Sequence, residues 1–211
     1  MILQQMEVGS MAVFAYLVGD SETGDAMVID PAGDVQSILD AASRKNLVIR
    51  SIVNTHGHVD HISGNADMKA RTGADIIIHG DDVEMLTNTP SMMLRMFGGK
   101  PSPPPDRTVQ DGDIVSAGSV SLEVIHVPGH SPGGIALYTP GYVFTGDTLF
   151  VEAVGRSDLP GGSWPVMLRS IRTRLLTLPD DTVVLPGHNY GRTPTSTIGH
   201  EKRNNPFLQE G

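Results

Sequence analysis

Seven consecutive residues, Thr55-His56-Gly57-His58-Val59-Asp60-His61, hold three imidazoles and one carboxylate. They follow directly on Leu47–Val53, an apolar run that reads as a buried strand. The fold must therefore end an interior strand at a polar loop and turn the chain tightly there. On an extended or turning backbone, alternate side chains point to one side, whereas in a helix His56, His58 and Asp60 would fan round the axis. His56 and His58 can then reach one cation, while Asp60 and His61 reach a second nearby. Gly57 lets the backbone fold between them. A solvated histidine-rich loop is the bland alternative, but imidazole and carboxylate donors at this spacing match the preferences of divalent cations.

The remaining composition narrows the classes. A chain of 211 residues suits one domain, residues 1–211, with a core large enough to fold without a staple. The absence of cysteine excludes disulfides, thiolate metal sites and thiol nucleophiles, and suits a cytoplasmic protein. A net charge of −9 without a basic stripe disfavours nucleic acid. The N-terminus lacks the basic and apolar regions of a signal peptide, and the longest apolar run, Met11–Val18, is too short to span a bilayer. The expectation is a cytoplasmic enzyme on a small-molecule substrate, monomeric or a small homo-oligomer, with no membrane partner.

Along the chain, Met11–Val18 and Ala26–Ile29 read as strands. Asp34 is placed to cap a helix carrying Val35, Ile38, Leu39 and Ala42. Ile62–Arg71 reads as a short helix, Asp75–Ile78 as a strand, and Asp81–Leu86 as the start of another helix. Residues 88–107, with Met92, Met93, Met96 and a proline-rich stretch, read as a surface excursion that could act as a flap or plug the core edge. Val120–His126, Ile135–Tyr138 and Tyr142–Thr145 read as strands. Ser163 caps a helix with Trp164, Leu168, Ile171 and Leu175 on one face; Val183–Leu185 is a last strand, and Thr197–Lys202 a terminal helix. The two halves share an element order that two face-to-face sheets with helices outside would bury.

One loop does not complete a metal site. Three further strand ends carry a candidate ligand beside a glycine: Pro128-Gly129-His130, Thr145-Gly146-Asp147-Thr148 and Leu185-Pro186-Gly187-His188. With these, the chain resembles the metallo-β-lactamase superfamily over nearly its whole length. The resemblance implies an α+β fold, a four-layer αββα sandwich with metals at one edge. It implies that His56, His58 and His130 hold one metal, that Asp60, His61 and His188 hold a second, and that Asp147 bridges both.

Within that superfamily, Gly146-Asp147-Thr148-Leu149-Phe150, Gly155-Arg156-Ser157-Asp158-Leu159-Pro160-Gly161-Gly162 and Thr197-Ile198-Gly199-His200-Glu201 followed by Asn205-Pro206-Phe207 are similar to the glyoxalase II-like branch. The bridging Asp147 points away from antibiotic hydrolysis, since metallo-β-lactamases proper lack a bridging carboxylate there. The sequence ends soon after His188, so the helical C-terminal domain of that branch is not expected. That domain supplies much of the glutathione site. Arg156 and Tyr190 match substrate-contact positions; an ion pair with Asp158 and a packing role are their structural alternatives.

The implied activity is hydrolysis of a thioester such as an S-2-hydroxyacylglutathione, with Asp60 both ligating and orienting the attacking water. A thiol leaves as thiolate at an intrinsic pKa of about 8.5, so no strong general acid is needed. A mononuclear iron persulfide dioxygenase using His56, His130 and Asp147, a lactonase or other ester hydrolase, and a non-enzymatic metal-binding domain are the alternatives. The cofactor is a pair of divalent ions, zinc by default, with iron or manganese also compatible. His79, His126 and His200 read as packing or surface residues. Gly129-His130-Ser131-Pro132-Gly133 matches the serine-hydrolase pattern, but no helix begins at Ser131, which removes it as a nucleophile.

Overall fold

The computed structural model describes residues 1–209. Strands β1 (Ile2–Val8), β2 (Val13–Gly19), β3 (Asp25–Ile29), β4 (Val48–Val53), β5 (Asp75–His79) and β6 (Arg107–Val109) form one sheet in sequence order. β1 to β3 are antiparallel neighbours, and β3 to β6 are parallel. The second sheet contains β7 (Ile114–Ala117), β8 (Val120–His126), β9 (Ile135–Thr139) and β10 (Tyr142–Gly146). After a two-stranded ribbon of β11 (Leu149–Phe150) and β12 (Ala153–Val154), it gains β13 (Val183–Pro186) and β14 (Ser196–Thr197), in the order β14-β13-β10-β9-β8-β7.

Side-chain alternation turns these strands into four layers. Phe14, Tyr16, Val18, Met27 and Ile29 face Leu122, Val124, Leu137, Phe144 and Leu185 between the sheets. The opposite face of the first sheet, with Ala15, Leu17, Val28, Ile52 and Ile76, packs on helices α1 (Val35–Arg44) and α3 (Asn65–Thr72). The outer face of the second sheet, with Ile125, Ala136, Val143 and Val184, packs on Met167, Ile171, Leu175 and Ile198. These come from α6 (Trp164–Ser170), the π turn Ile171–Leu175 and α7 (Ile198–Asn204). The αββα sandwich expected from the resemblance is the architecture found. No helix among the described residues is long and apolar enough to cross a membrane.

Several local expectations are corrected. The helix expected over Ile62–Arg71 is divided: α2 spans Val59–Ile62, and α3 starts only at Asn65. A Cβ at Gly64 would collide with Pro31 O, so the break is a close backbone approach. Asp34 precedes α1 with φ +47, but its carboxylate accepts from Gly9 N at 3.0 Å and makes no cap bond. The buried face of α6 begins at Met167, not Trp164 and Leu168; Trp164 is 38% exposed and packs edge-on against Phe207. The π turn that follows, with its wider winding, carries Ile171 and Leu175 onto the sheet. Within residues 88–107, the methionine-rich piece forms α5 (Ser91–Met96), which the buried Leu94 anchors. Helix α4 (Val83–Thr87) is preceded by a 3₁₀ turn over Gly80–Asp82. Strands β1, β6 and β7 were not anticipated.

Candidate metal centre

All the expected ligands stand on segments leaving β4, β8, β10 and β13 at one edge of the sandwich. The His56–His61 run is held by Asp30, which follows β3 at φ +48. Its carboxylate accepts from Thr55 N at 2.8 Å and from Thr55 Oγ1 at 2.6 Å. The run bends at Thr55 and His56, is extended at His58 (φ −68, ψ 145) and then enters α2. Asp60 and His61 thus sit on a helical turn, not on the extended loop the spacing suggested. Successive helical positions splay apart, so His61 turns wholly into the interior while Asp60 stays partly open to the cavity.

Two groups of donors result. Nitrogens of His56, His58 and His130 lie within 4.8 Å of one another, and so do the donors of Asp60, His61 and His188. In the first group His58 Nδ1 is 2.8 Å from His130 Nε2. In the second, His61 Nε2 is 3.1 Å from His188 Nε2, which is 3.4 Å from Asp60 Oδ2. Asp147 lies between them: its Oδ2 is 3.6 Å from His130 Nε2 and 3.2 Å from His188 Nε2, and its Oδ1 is 3.3 Å from His61 Nε2. A Cβ at Gly187 would collide with Asp147 Oδ1, so this close passage needs glycine.

The far side of each ring decides which nitrogen faces inward. His61 Nδ1 donates to Asp30 Oδ2 at 3.0 Å, His130 Nδ1 to Arg156 O at 2.7 Å, and His188 Nδ1 to Met11 O at 2.8 Å. Each bond holds the Nδ1 proton and directs Nε2 at the centre, the arrangement that orients metal-ligating histidines. His56 Nε2 and Asp147 Oδ1 are buried with no hydrogen-bond partner. Buried polar atoms are seldom left so. Cations in the two groups would satisfy both atoms, so the residues present fit a pair of divalent metals.

Electrostatics separate the groups. Burial, with His130 and His61 nearby, lowers the His58 pKa to about 4, and burial takes His56 well below its ordinary range. In the second group burial also disfavours the charged imidazoles, but carboxylates reverse it. Asp147, Asp60 and Asp30 hold His61 well above its ordinary value, and hydrogen bonds to Asp147 and Asp60 raise His188 to about 9. Burial would raise the Asp147 carboxyl, yet His61 and His188 keep it well below the usual range. His56 and His58 are therefore uncharged at neutral pH, while His61 and His188 hold protons that a cation would displace.

The remaining candidates sort differently. Arg156 makes a two-pronged pair with Asp158 at 2.9 and 3.0 Å, with both side chains exposed. It lines the cavity beside the ligands, as Tyr190 does. The Tyr190 ring stacks on His188 at 4.4 Å and 12°, so packing and a place at the cavity coincide in it. Ser131 is buried and donates to Asp82 Oδ2 at 2.7 Å. His79 and His126 stack at 4.2 Å and 9° with Asp81 nearby. Parallel rings direct their lone pairs side by side and not toward one ion, so this trio is not arranged as a chelate. His200, expected at the surface, bonds Glu152 Oε1 at 2.9 Å.

Two organising residues were missed: Asp30 and Asp82. Asp82 is fully buried and accepts from Gly57 N at 2.9 Å, Gly133 N at 2.6 Å and Ser131, which ties the His56–His61 run to the His130 loop. Each is an ordinary aspartate just beyond a strand, and only the dense cluster of backbone donors around it marks its role.

The family model of the metallo-beta-lactamase superfamily matches residues 8–188. Hydroxyacylglutathione hydrolase GloC of Haemophilus influenzae is 34% identical over 91% of this chain and 91% of its own. The mitochondrial persulfide dioxygenase ETHE1 of Homo sapiens is 32% identical over 98% of this chain and 76% of its own. Among solved structures, BLEG-1 B3 metallo-beta-lactamase superposes with TM-score 0.88 at 30% identity over 99% of this chain and 100% of that one. A di-iron-bound form of TTHA1623 gives 0.85 at 34% identity over 97% and 100%. A structure described as a β-lactamase is thus as similar as the others, so overall likeness does not exclude β-lactams. That expectation rested on Asp147 alone.

Proposed function

The chain belongs to the metallo-beta-lactamase superfamily, and we propose that within it this protein is a metal-dependent hydrolase of thioesters. The observation that carries the reading is the placement of Asp147 between the two donor groups, with its Oδ2 near both His130 and His188 and its Oδ1 near His61. His56, His58 and His130 would hold one divalent ion, and Asp60, His61 and His188 the other, with Asp147 shared. Bound there, the ions supply an ionised water at neutral pH and polarise the substrate carbonyl.

The chain's own residues position the reaction. Asp60, the more open carboxylate of the centre, can accept a proton or hydrogen bond from the attacking water at its Oδ2. The cavity offers no further acid beside the ligands except Tyr190, whose phenol burial and the Asp147 charge keep protonated. A thiolate leaves without a strong acid, which favours thioesters over amides for this site. The likeness to GloC supports S-2-hydroxyacylglutathiones as members of the substrate class.

A second reading, persulfide oxidation at a single iron, draws on the likeness to ETHE1 and on the buried, partnerless His56 Nε2 and Asp147 Oδ1. Metal analysis of the purified protein, with rates for S-lactoylglutathione, a simple lactone and glutathione persulfide, tests both. Two metal equivalents and preferential thioester cleavage are expected. One iron per chain with oxygen uptake on the persulfide would replace the hydrolase reading, and preferential lactone cleavage would move it to ester hydrolysis.

A further inference from the structure

The space in front of the donor set is unlike the ligands that form its floor. A cavity of about 430 Å³ opens over Asp60, His130, Asp147 and His188. Its walls are Met93 and Phe97 on one side and Phe150, Val154 and Leu159 on the other. A second cavity of about 340 Å³ adjoins it past His58, Val59 and Met93, and continues along Met85, Pro90 and Pro132.

Charge is distributed as unevenly as polarity. Among the residues lining both cavities the only lysine or arginine is Arg156, and its guanidinium is engaged by Asp158 through two bonds. The adjoining cavity carries Asp81 and Glu84 instead. Among the described residues lining these two cavities, a thioester with carboxylates on its thiol arm would meet no cation besides the paired Arg156. It would also approach a protein of net charge −9. An uncharged apolar chain would meet side chains able to bury it. Methionine suits such a wall because its unbranched, polarisable side chain adapts to different shapes. Leu94 is buried and fixes α5, which leaves Met93 and Phe97 directed at the cavity.

Resting on the hydrolase reading above, we infer that this site selects thioesters with an uncharged apolar acyl chain, held between Met93 of α5 with the adjoining Phe97 and the Phe150–Val154 ribbon. In the reaction the water oxygen bonds to the acyl carbon, the carbon–sulfur bond breaks, and the released thiolate takes up a proton. The products are a carboxylic acid and a thiol, and no redox partner is needed.

The test uses the metal-loaded protein and S-acyl-N-acetylcysteamines from acetyl to hexanoyl, with S-hexanoylglutathione and S-lactoylglutathione beside them. Acetohydroxamate and hexanohydroxamate binding is measured by calorimetry. The expected result is a rise in kcat/KM of about fourfold per methylene, the factor for burying one methylene group. Hexanohydroxamate should bind about two hundredfold more tightly than acetohydroxamate, the same factor over four methylenes. S-Hexanoylglutathione should be no better than its N-acetylcysteamine counterpart. Met93→Ser with Phe97→Ser should flatten both length dependences while metal content stays nearly unchanged. Thioester turnover without length dependence, or a tenfold preference for the glutathione carrier, overturns the inference and leaves the hydrolase reading intact. Absence of any thioester turnover, with chain-length-dependent hydroxamate binding kept, overturns the hydrolase reading and supports the apolar pocket.

Discussion

Asp30 Oδ2 accepts a hydrogen bond from His61 Nδ1 at 3.0 Å, with both side chains almost wholly buried. The same carboxylate accepts two bonds from Thr55, so one residue both orients an inner histidine and fixes the start of its loop. Asparagine tolerates the left-handed backbone that Asp30 adopts. Asp30→Asn therefore isolates the charge. It should weaken metal binding at the Asp60–His61–His188 group by about 10–100-fold, the usual cost of losing such a partner. The His56–His58–His130 group should be little affected. Competition titration with a chromophoric chelator reads both steps, and equal weakening at the two groups would remove Asp30 from this role.

The share of this arrangement visible in the sequence followed from chemistry concentrated in short runs. His56, His58, His130, Asp147 and His188 each stand beside a strand end and a glycine, which marked them as candidate ligands, while the resemblance to the superfamily implied the sandwich that the fold shows. Asp30 and Asp82 could not, because their partners are backbone groups brought near only by the fold. The same holds for the Arg156 carbonyl, which accepts from His130 Nδ1, a backbone contact that no sequence position announces. Elements failed where tertiary contacts override periodicity, as at Gly64 against Pro31 and in the π turn after α6.

The two donor groups should load at different pH. His58, at about 4, and His56 are uncharged at neutral pH, whereas His188, at about 9, and His61 carry the extra proton of the imidazolium. The sign follows directly. In the metal-free protein the raised His188 contributes stability that is complete below its ordinary 6.5 and is lost as pH rises through about 9. A cation entering that group must displace the same protons, so its affinity increases over the same interval. One equivalent should remain bound at pH 6 and a second be recovered toward pH 9, with proton release only in the second step. Calorimetry in buffers of different ionisation enthalpy measures that release. Simultaneous loading at both pH values would contradict the separation.

Asp82 and Ser131 make a contrasting pair. Asp82→Ala strands Gly57 N and Gly133 N in the interior, at about 1–3 kcal/mol for each unsatisfied group. A lowered Tm and reduced metal retention are expected together. Ser131→Ala removes one hydrogen bond, at about 1 kcal/mol. Hydrolytic activity should survive, which excludes a serine nucleophile despite the Gly129–Gly133 pattern.

Arg156 separates side-chain from backbone function. Its exposed, solvent-screened pair with Asp158 should contribute little to stability. Arg156→Ala should leave Tm and metal content unchanged, because the Arg156 carbonyl that orients His130 remains. A substrate role would appear as a raised KM for anionic thioesters alone. Loss of bound metal in this variant would show that the side chain shapes the β12–α6 segment.

Asp147→Asn is the sharpest test of a shared centre. The substitution keeps the shape and removes the charge that balances His61 and His188. The second metal equivalent should be lost, and activity should fall at least about a hundredfold, beyond what outer partners of a ligand cost. Without the Asp147 charge, His188 also loses a principal cause of its raised pKa. The His188 imidazole resonances should then titrate at lower pH in the metal-free variant than in the metal-free parent. A variant that keeps both metals and full activity would show that the carboxylate is not shared, and the two donor groups would have to act independently.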